Sequence, residues 1–249
     1  MKFEDLKKLH QKKFRKEFGF FLIEGEHLVL ELQKALGADE RLRSSEIYLT
    51  SDFSHWKTPL PSHTVTARQM AQLSETRSPQ GIVAVVPLLS RPATAESRAV
   101  YLYEIQDPGN LGTILRTLAW FGGFRCLLSP NSVDAHNAKA VRATAGALFH
   151  VPLEVDVPIE TLAVRFGRIA HLDLQGQPIA APEFRDFDCY VYGNEARGLP
   201  RAALQTLQST AFTIEGSGVI ESLNVAASVN ICHYELARQA GAPLPRSHK

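Results

Sequence analysis

Three short stretches hold the side chains that could do chemistry. The first is DPGNLGTILRT, Asp107 to Thr117. Pro108 and Gly109 set a turn there, Asn110 is the expected helix cap, and Arg116 is the charge inside an otherwise apolar helical pattern. A glycine turn ahead of a helix suits a phosphate, and Gly112 would let a ligand approach the backbone. The same letters also describe a capped helix with a surface arginine. The second stretch is YGNEARGLP, Tyr192 to Pro200, after the apolar CYVY. Gly193 permits close backbone approach, while Asn194 and Glu195 offer an amide and a carboxylate for a sugar or an arginine. Alone, it also reads as a loop of polar turn formers. The third is IEGSGVIESLNVAAS, Ile214 to Ser228, a two-glycine loop in which Ser222 is expected to cap the last helix. Asn224 would then lie in the first turn, near the positive end of the helix dipole.

Several other chemistries find no pattern. No Gly-Lys-Ser/Thr follows the first glycine turn, and Glu221 stands where a dinucleotide fingerprint needs its third glycine. There is no nucleophile elbow, His-Glu-x-x-His pair or Cys-x-x-Cys pair. The nine histidines are scattered, and Asp134 and His136 lack a third ligand, so no metal is assigned.

The elements that must position these residues follow from periodicity. From Ala99 onward, β-branched and apolar runs alternate with helical patterns: AVYLYEI, a helix near 110–121, FRCLLS, a helix over HNAKAVRATAGAL, RIAHLDL, DCYVYG, RAALQTLQ, AFTIE and a long final helix closed by Gly241 and Pro243. Such alternation predicts an α/β fold, a mostly parallel sheet with helices on both faces. Ligands of such sheets gather at the carboxyl ends of strands, where all three stretches fall. Residues 1–89 read as a smaller unit with strands at FGFFLIEG, SEIYLT and GIVAVVPL and helices at EHLVLELQKALG and TARQMAQLS. SRPATAESR, residues 90–98, is the expected linker to residues 99–249.

The chain has 249 residues, with 45% hydrophobic and 21% charged, as in globular proteins. Its net charge of +1 decides nothing about partners, but the distribution is uneven. Lys12, Lys13, Arg15 and Lys16 crowd a basic first helix that suits RNA, an anionic membrane or a solvated face. Three widely spaced cysteines, no secretory signal and no bilayer-length apolar run favour a cytoplasmic protein without membrane contact.

Together, DPGNLGTILRT, GNEARGL and SLNVAAS resemble the three motifs of the SpoU family of RNA ribose 2′-O-methyltransferases, in the SPOUT or α/β-knot superfamily. The likeness covers about residues 99–239. KKFRKEFGFFLIEGEHLVLE and SETRSPQGIVAVV resemble the small RNA-binding domain that precedes many SpoU catalytic domains and is similar to kink-turn-binding ribosomal proteins. The resemblance implies a deep trefoil knot, a knot-packed homodimer, and S-adenosylmethionine bent in the loops of the second and third motifs. Gly193, Ile214, Gly218 and Leu223 match cofactor positions. Asn110, Arg116, Glu195, Ser222 and Asn224 match active-site positions. Arg116 corresponds to an arginine proposed to activate the ribose hydroxyl; orienting a phosphate and stabilising the alkoxide is its other possible role. Glu215-Gly216 stand where the family usually has Pro-Met. The implied activity is methylation of ribosomal RNA, first of all the large subunit's, or of transfer RNA. A catalytically silent, knotted RNA-binding protein is the alternative.

Overall fold

A computed structural model of the chain describes residues 1–88 and 98–239. All of the expected linker but Arg98, and the closing Gly241 and Pro243, lie outside the described residues. The chain divides into two compact units, Met1–Leu89 with Asp134–His150, and Ser90–Val133 with Val151–Lys249.

The basic first segment forms two helices rather than one, α1 (Phe3–Lys8) and α2 (Lys12–Phe18). Gly19, at φ +76, ends α2 and turns the chain into β1 (Phe20–Glu24). Then come α3 (Glu26–Ala35), β2 (Glu46–Leu49), β3 (Ser62–Thr64), α4 (Ala67–Leu73) and β4 (Ile82–Pro87). The expected runs become β1, α3, β2, α4 and β4. The added β3 is three exposed residues with no apolar alternation for a reader to find. Thr66 and Gln69 close a reciprocal cap at the start of α4. The sheet order is β1-β4-β2-β3, with β4 antiparallel to both neighbours and β2 parallel to β3. Burial on both sides of β4 explains its unbroken apolar sequence.

The second unit begins with β5 (Arg98–Leu102), α5 (Pro108–Phe121) and β6 (Phe124–Leu128). Helix α6 (Ala138–Thr144) follows, in the segment that belongs to the first unit, where it packs on β1. It is shorter than its apolar pattern suggested. Ala145 at φ +48 and Gly146 at φ +92 stop it, and a Cβ on Gly146 would sit 2.5 Å from the Glu31 side chain. The second unit resumes with β7 (Leu153–Glu154), α7 (Leu162–Arg165), β8 (Ile169–Pro178), β9 (Cys189–Tyr192), α8 (Arg201–Leu207), β10 (Thr210–Thr213) and α9 (Val225–Gln239).

These six strands run in the order β10-β8-β9-β5-β6-β7, and every neighbouring pair is parallel. Side chains alternate across a strand. Ala99, Tyr101, Leu127, Cys189 and Val191 meet Leu162 of α7 and Leu207 of α8 on one face. On the other, Phe124 and Tyr190 pack edge to face, and His233 of α9 packs on Phe124. Helix α5 packs on α9. Helices therefore cover both faces, as the alternating pattern predicts. Burial of about two large apolar side chains per strand on each side, at roughly 1.5–3 kcal/mol each, favours this layering over an exposed sheet.

The order of strands also fixes where a ligand can sit. From β5 the chain moves outward to β6 and β7, whereas from β9 it moves the other way, past β8 to β10. The connections part between adjacent β5 and β9, which opens a crevice beyond their carboxyl ends. The first motif leaves β5, the second leaves β9 and the third leaves β10.

Candidate active site

The first motif begins with a cap that differs from the expected one. Asp107, not Asn110, caps α5: its Oδ1 accepts from the Asn110 N–H at 2.8 Å, with Pro108 in the first turn. A Cβ at Gly109 would meet that carboxylate oxygen at 2.8 Å, so glycine keeps the cap open. Gly112 lies on the buried face of α5 and serves packing rather than ligand approach. Because Asp107 caps the helix, the Asn110 amide is free to point elsewhere.

Two contacts use that amide. Asn110 Nδ2 donates to Glu195 Oε1 at 3.1 Å, across the crevice between β5 and β9. Asn110 Oδ1 accepts from Asn224 Nδ2 at 3.0 Å. Asn224, rather than Ser222, caps α9: its Oδ1 accepts from the N–H groups of Ala226 at 2.9 Å and Ala227 at 3.3 Å. Both caps therefore sit one short step from where composition alone put them. In each case an asparagine ends up in the relay Glu195–Asn110–Asn224, which ties one residue from each motif together.

The second motif is a closed loop. Asn194 and Gly198 exchange backbone hydrogen bonds at 3.1 and 2.9 Å, and Asn194 Oδ1 accepts from the N–H groups of Ala196 and Arg197. Gly193 is required there, since a Cβ would lie 2.6 Å from the Gly198 carbonyl carbon. Asn194 Nδ2 donates to the Glu104 carbonyl at 2.8 Å, and Arg197 pairs with the Glu104 carboxylate at 2.6 Å. Glu104 lies outside the three motifs, and Arg197 lies within the second without being singled out there.

The remaining residues expected at the site stand apart from the relay. Arg116 is exposed on α5, on a ridge with Thr113 and Trp120, and makes no ion pair or hydrogen bond among the described residues. Ser222 is exposed in the loop before α9. Ile214 is half-buried just after β10, Gly218 takes φ +75, and Leu223 is 45% exposed. Val219 and Ile220 beside them are also exposed. Next to this loop, β8 bulges. Ala211 pairs with His171 but Phe212 pairs with Gln177, so Leu172 through Gly176 project out of the ladder. His171 is buried at the base of the bulge, and burial holds its imidazole below the usual histidine range.

In the first unit the basic residues separate. Lys12, Lys13 and Lys16 are exposed on α2. Arg15 turns inward and is 5% exposed. It donates to the carbonyls of Leu9 and His10 and to Asp134 Oδ2 at 2.6 Å. Burial raises the Asp134 carboxyl, but the Arg15 contact and the His136 N–H outweigh it and hold it below the carboxylate range. Arg15 is thus built into the unit and does not share the lysines' outer face. Beside it His136 is buried against Phe21, and burial pushes its imidazole down to about 4. Among the described residues no group of three or more His, Cys, Asp or Glu could hold a metal ion. The three cysteines are buried and unpaired, with burial raising their thiols, so they offer no reactive thiolate.

Comparison with known proteins now adds to the geometry. Residues 97–234 match the family model described as the SpoU rRNA Methylase family, and residues 2–84 match an MRM3-like substrate binding domain. The chain is 33% identical over 241 residues to the Bacillus subtilis 23S rRNA (guanosine(2553)-2′-O)-methyltransferase RlmP, covering 94% of this chain and 95% of that one. A Porphyromonas gingivalis structure assigned to the TrmH family of RNA methyltransferases is similar at a TM-score of 0.81 and 27% identity, over 95% of this chain and 97% of that one. An AdoMet-bound rRNA methyltransferase from Sinorhizobium meliloti shares the fold, with a TM-score of 0.78 and 24% identity over 97% and 95% of the two chains.

Proposed function

The chain belongs to the SpoU rRNA methylase family, and from that premise we propose that it transfers a methyl group from S-adenosylmethionine to a ribose 2′-hydroxyl of RNA, with large-subunit ribosomal RNA as the first substrate to test. The observation that carries this reading is the relay Glu195–Asn110–Asn224. It gathers one polar residue from each motif at the crevice where an open parallel sheet binds its ligands.

The loops around the crevice suit the cofactor. The backbone at Gly193 is bare, and the glycine-containing loop from Ile214 carries apolar side chains, Leu223 among them, that have no core to pack into. Ile214, Gly218 and Leu223 would hold the adenosyl part, with Gly193 admitting it at the backbone. When bound, S-adenosylmethionine supplies a methyl already activated on a sulfonium, so a neutral thioether departs. The residues of the chain then hold the ribose hydroxyl in line and stabilise charge as its proton passes to solvent. Asn110 and Glu195 fix the sugar. Ser222 and Asn224 complete the wall on the α9 side. Arg116, a cation without a partner among the described residues, orients the target phosphate and stabilises the forming alkoxide.

The reading extends to the rest of the molecule. The first unit delivers the RNA, with Lys12, Lys13 and Lys16 on its outer face and Arg15 bracing α2 behind them. Two copies pair through the knotted second unit, supported by Trp120, 78% exposed on α5, and Tyr234, 62% exposed on neighbouring α9. Trp120→Glu is expected to yield a monomer by light scattering. A cytoplasmic location and the deep trefoil knot belong to the same reading. The test is direct: purified protein, methyl-labelled S-adenosylmethionine and deproteinised ribosomal RNA. Label recovered in an alkali-resistant dinucleotide supports a ribose 2′-O product, and cofactor binding by calorimetry without any label transfer sinks it.

A further inference from the structure

The loop that carries Glu195 is otherwise exposed, and both of its side-chain tethers to the sheet end on one residue. Asn194 Nδ2 reaches the Glu104 carbonyl, and Arg197 reaches the Glu104 carboxylate. Glu104 itself is held on every side. Its N–H donates to Ser129 Oγ at 2.6 Å, and its carbonyl also accepts from Gln106 Nε2 at 2.9 Å. All this happens at φ +47, a left-handed backbone that costs an ordinary residue free energy and that glycine or asparagine adopts more easily. Stability does not explain a glutamate there. The Arg197 side chain is 70% exposed, and an ion pair with so exposed a partner adds little to folding.

We propose that Glu104 is a positioning residue for methyl transfer: through Arg197 it latches the second-motif loop to the end of β5 and so sets the reach of Glu195 to Asn110. The carboxylate orients the loop, and the strained backbone puts that carboxylate in place. Glu104 touches neither substrate nor cofactor in this role. The inference rests on the methyltransferase reading.

The informative variant is Glu104→Gly, which relaxes the backbone while cutting the latch. The expected result is a melting temperature equal to or above that of the parent and an S-adenosylmethionine affinity within twofold. The turnover number is expected to fall on the order of 10-fold to 100-fold, as for a catalytic group displaced by about an ångström. Glu104→Gln, which can still accept from Arg197, should recover part of the loss. Hydrogen exchange provides a readout that needs no activity: the Ala196–Gly198 amides should exchange faster in Glu104→Gly and less so in Glu104→Gln. Unchanged exchange at these amides overturns the latch. So does a fall in melting temperature and cofactor affinity that parallels the loss of turnover, which would mark Glu104 as merely structural. If the parent protein transfers no methyl group, the functional reading fails on its own, and the exchange result still decides the latch.

Discussion

Two arginines, one in each unit, are used in opposite ways. In the first, Arg15 is buried, and its guanidinium is committed to Leu9, His10 and Asp134. In the second, Arg116 is exposed and has no partner among the described residues. A buried charge must be paired, since desolvation costs several kcal/mol per ion. An exposed one carries no such obligation and can keep its donors for a ligand. The same contrast runs through the acids: Asp134 is fixed by a cation and a backbone N–H, whereas Glu195 is held by one neutral amide. Polar groups committed within their own unit hold structure together, and those left with spare donors and acceptors are the ones the proposed chemistry can use.

Substitutions can break that comparison, beginning with the largest effect. Arg15→Ala strands the half-buried Asp134 and the carbonyls of Leu9 and His10 and should cost about 3 kcal/mol of stability, read as a lower denaturant midpoint; unchanged stability would mean the pair is dispensable. Arg116→Ala should instead leave the melting curve alone, leave cofactor binding within twofold and slow methyl transfer by about 10²–10³-fold. Loss of cofactor affinity to match would contradict the division between the first motif and the cofactor loops.

Acid should act on both units through their buried histidines. Burial pushes the imidazoles of His136 and His233 down to about 4. Unfolded histidine titrates near 6.5, so between that value and about 4 the unfolded chain binds more protons than the folded one. Stability therefore falls as pH drops through this window, by roughly 2 kcal/mol per histidine at pH 5. His233→Gln should flatten the pH dependence of the melting temperature measured from pH 7 to 5. The smallest effect sits on α2. Replacing Lys12, Lys13 and Lys16 with alanine should lower the slope of log affinity against log salt for single-stranded RNA by roughly 2, with melting temperature unchanged.

How far the sequence carried depends on the range of the interaction. Local periodicity located the longer patterned elements, such as β4 and α9, but not the short β3, β7 and α7. Helix ends were legible as regions rather than as atoms. Asp107 and Asn110 are both capping types, and so are Ser222 and Asn224; which one caps depends on which N–H its oxygen reaches. The three motifs announced themselves, yet their meeting did not. The bond from Asn224 to Asn110 spans 114 residues and exists because α9 packs on α5, a pairing that no local pattern encodes. Arg15 shows the reverse case: four basic residues in one helix look alike in sequence, and only the turn of α2 selects the one that goes inside.

That long-range relay also has a consequence in time. A ribosome emits the residues that make the crevice in instalments: Asn110 first, Glu195 after 85 more residues and Asn224 after 114. At about 5–20 residues per second, the interval from first to last is roughly 6–20 s. During it a nascent chain carries Asn110 without its last partner. An unfinished chain therefore cannot close the relay Glu195–Asn110–Asn224.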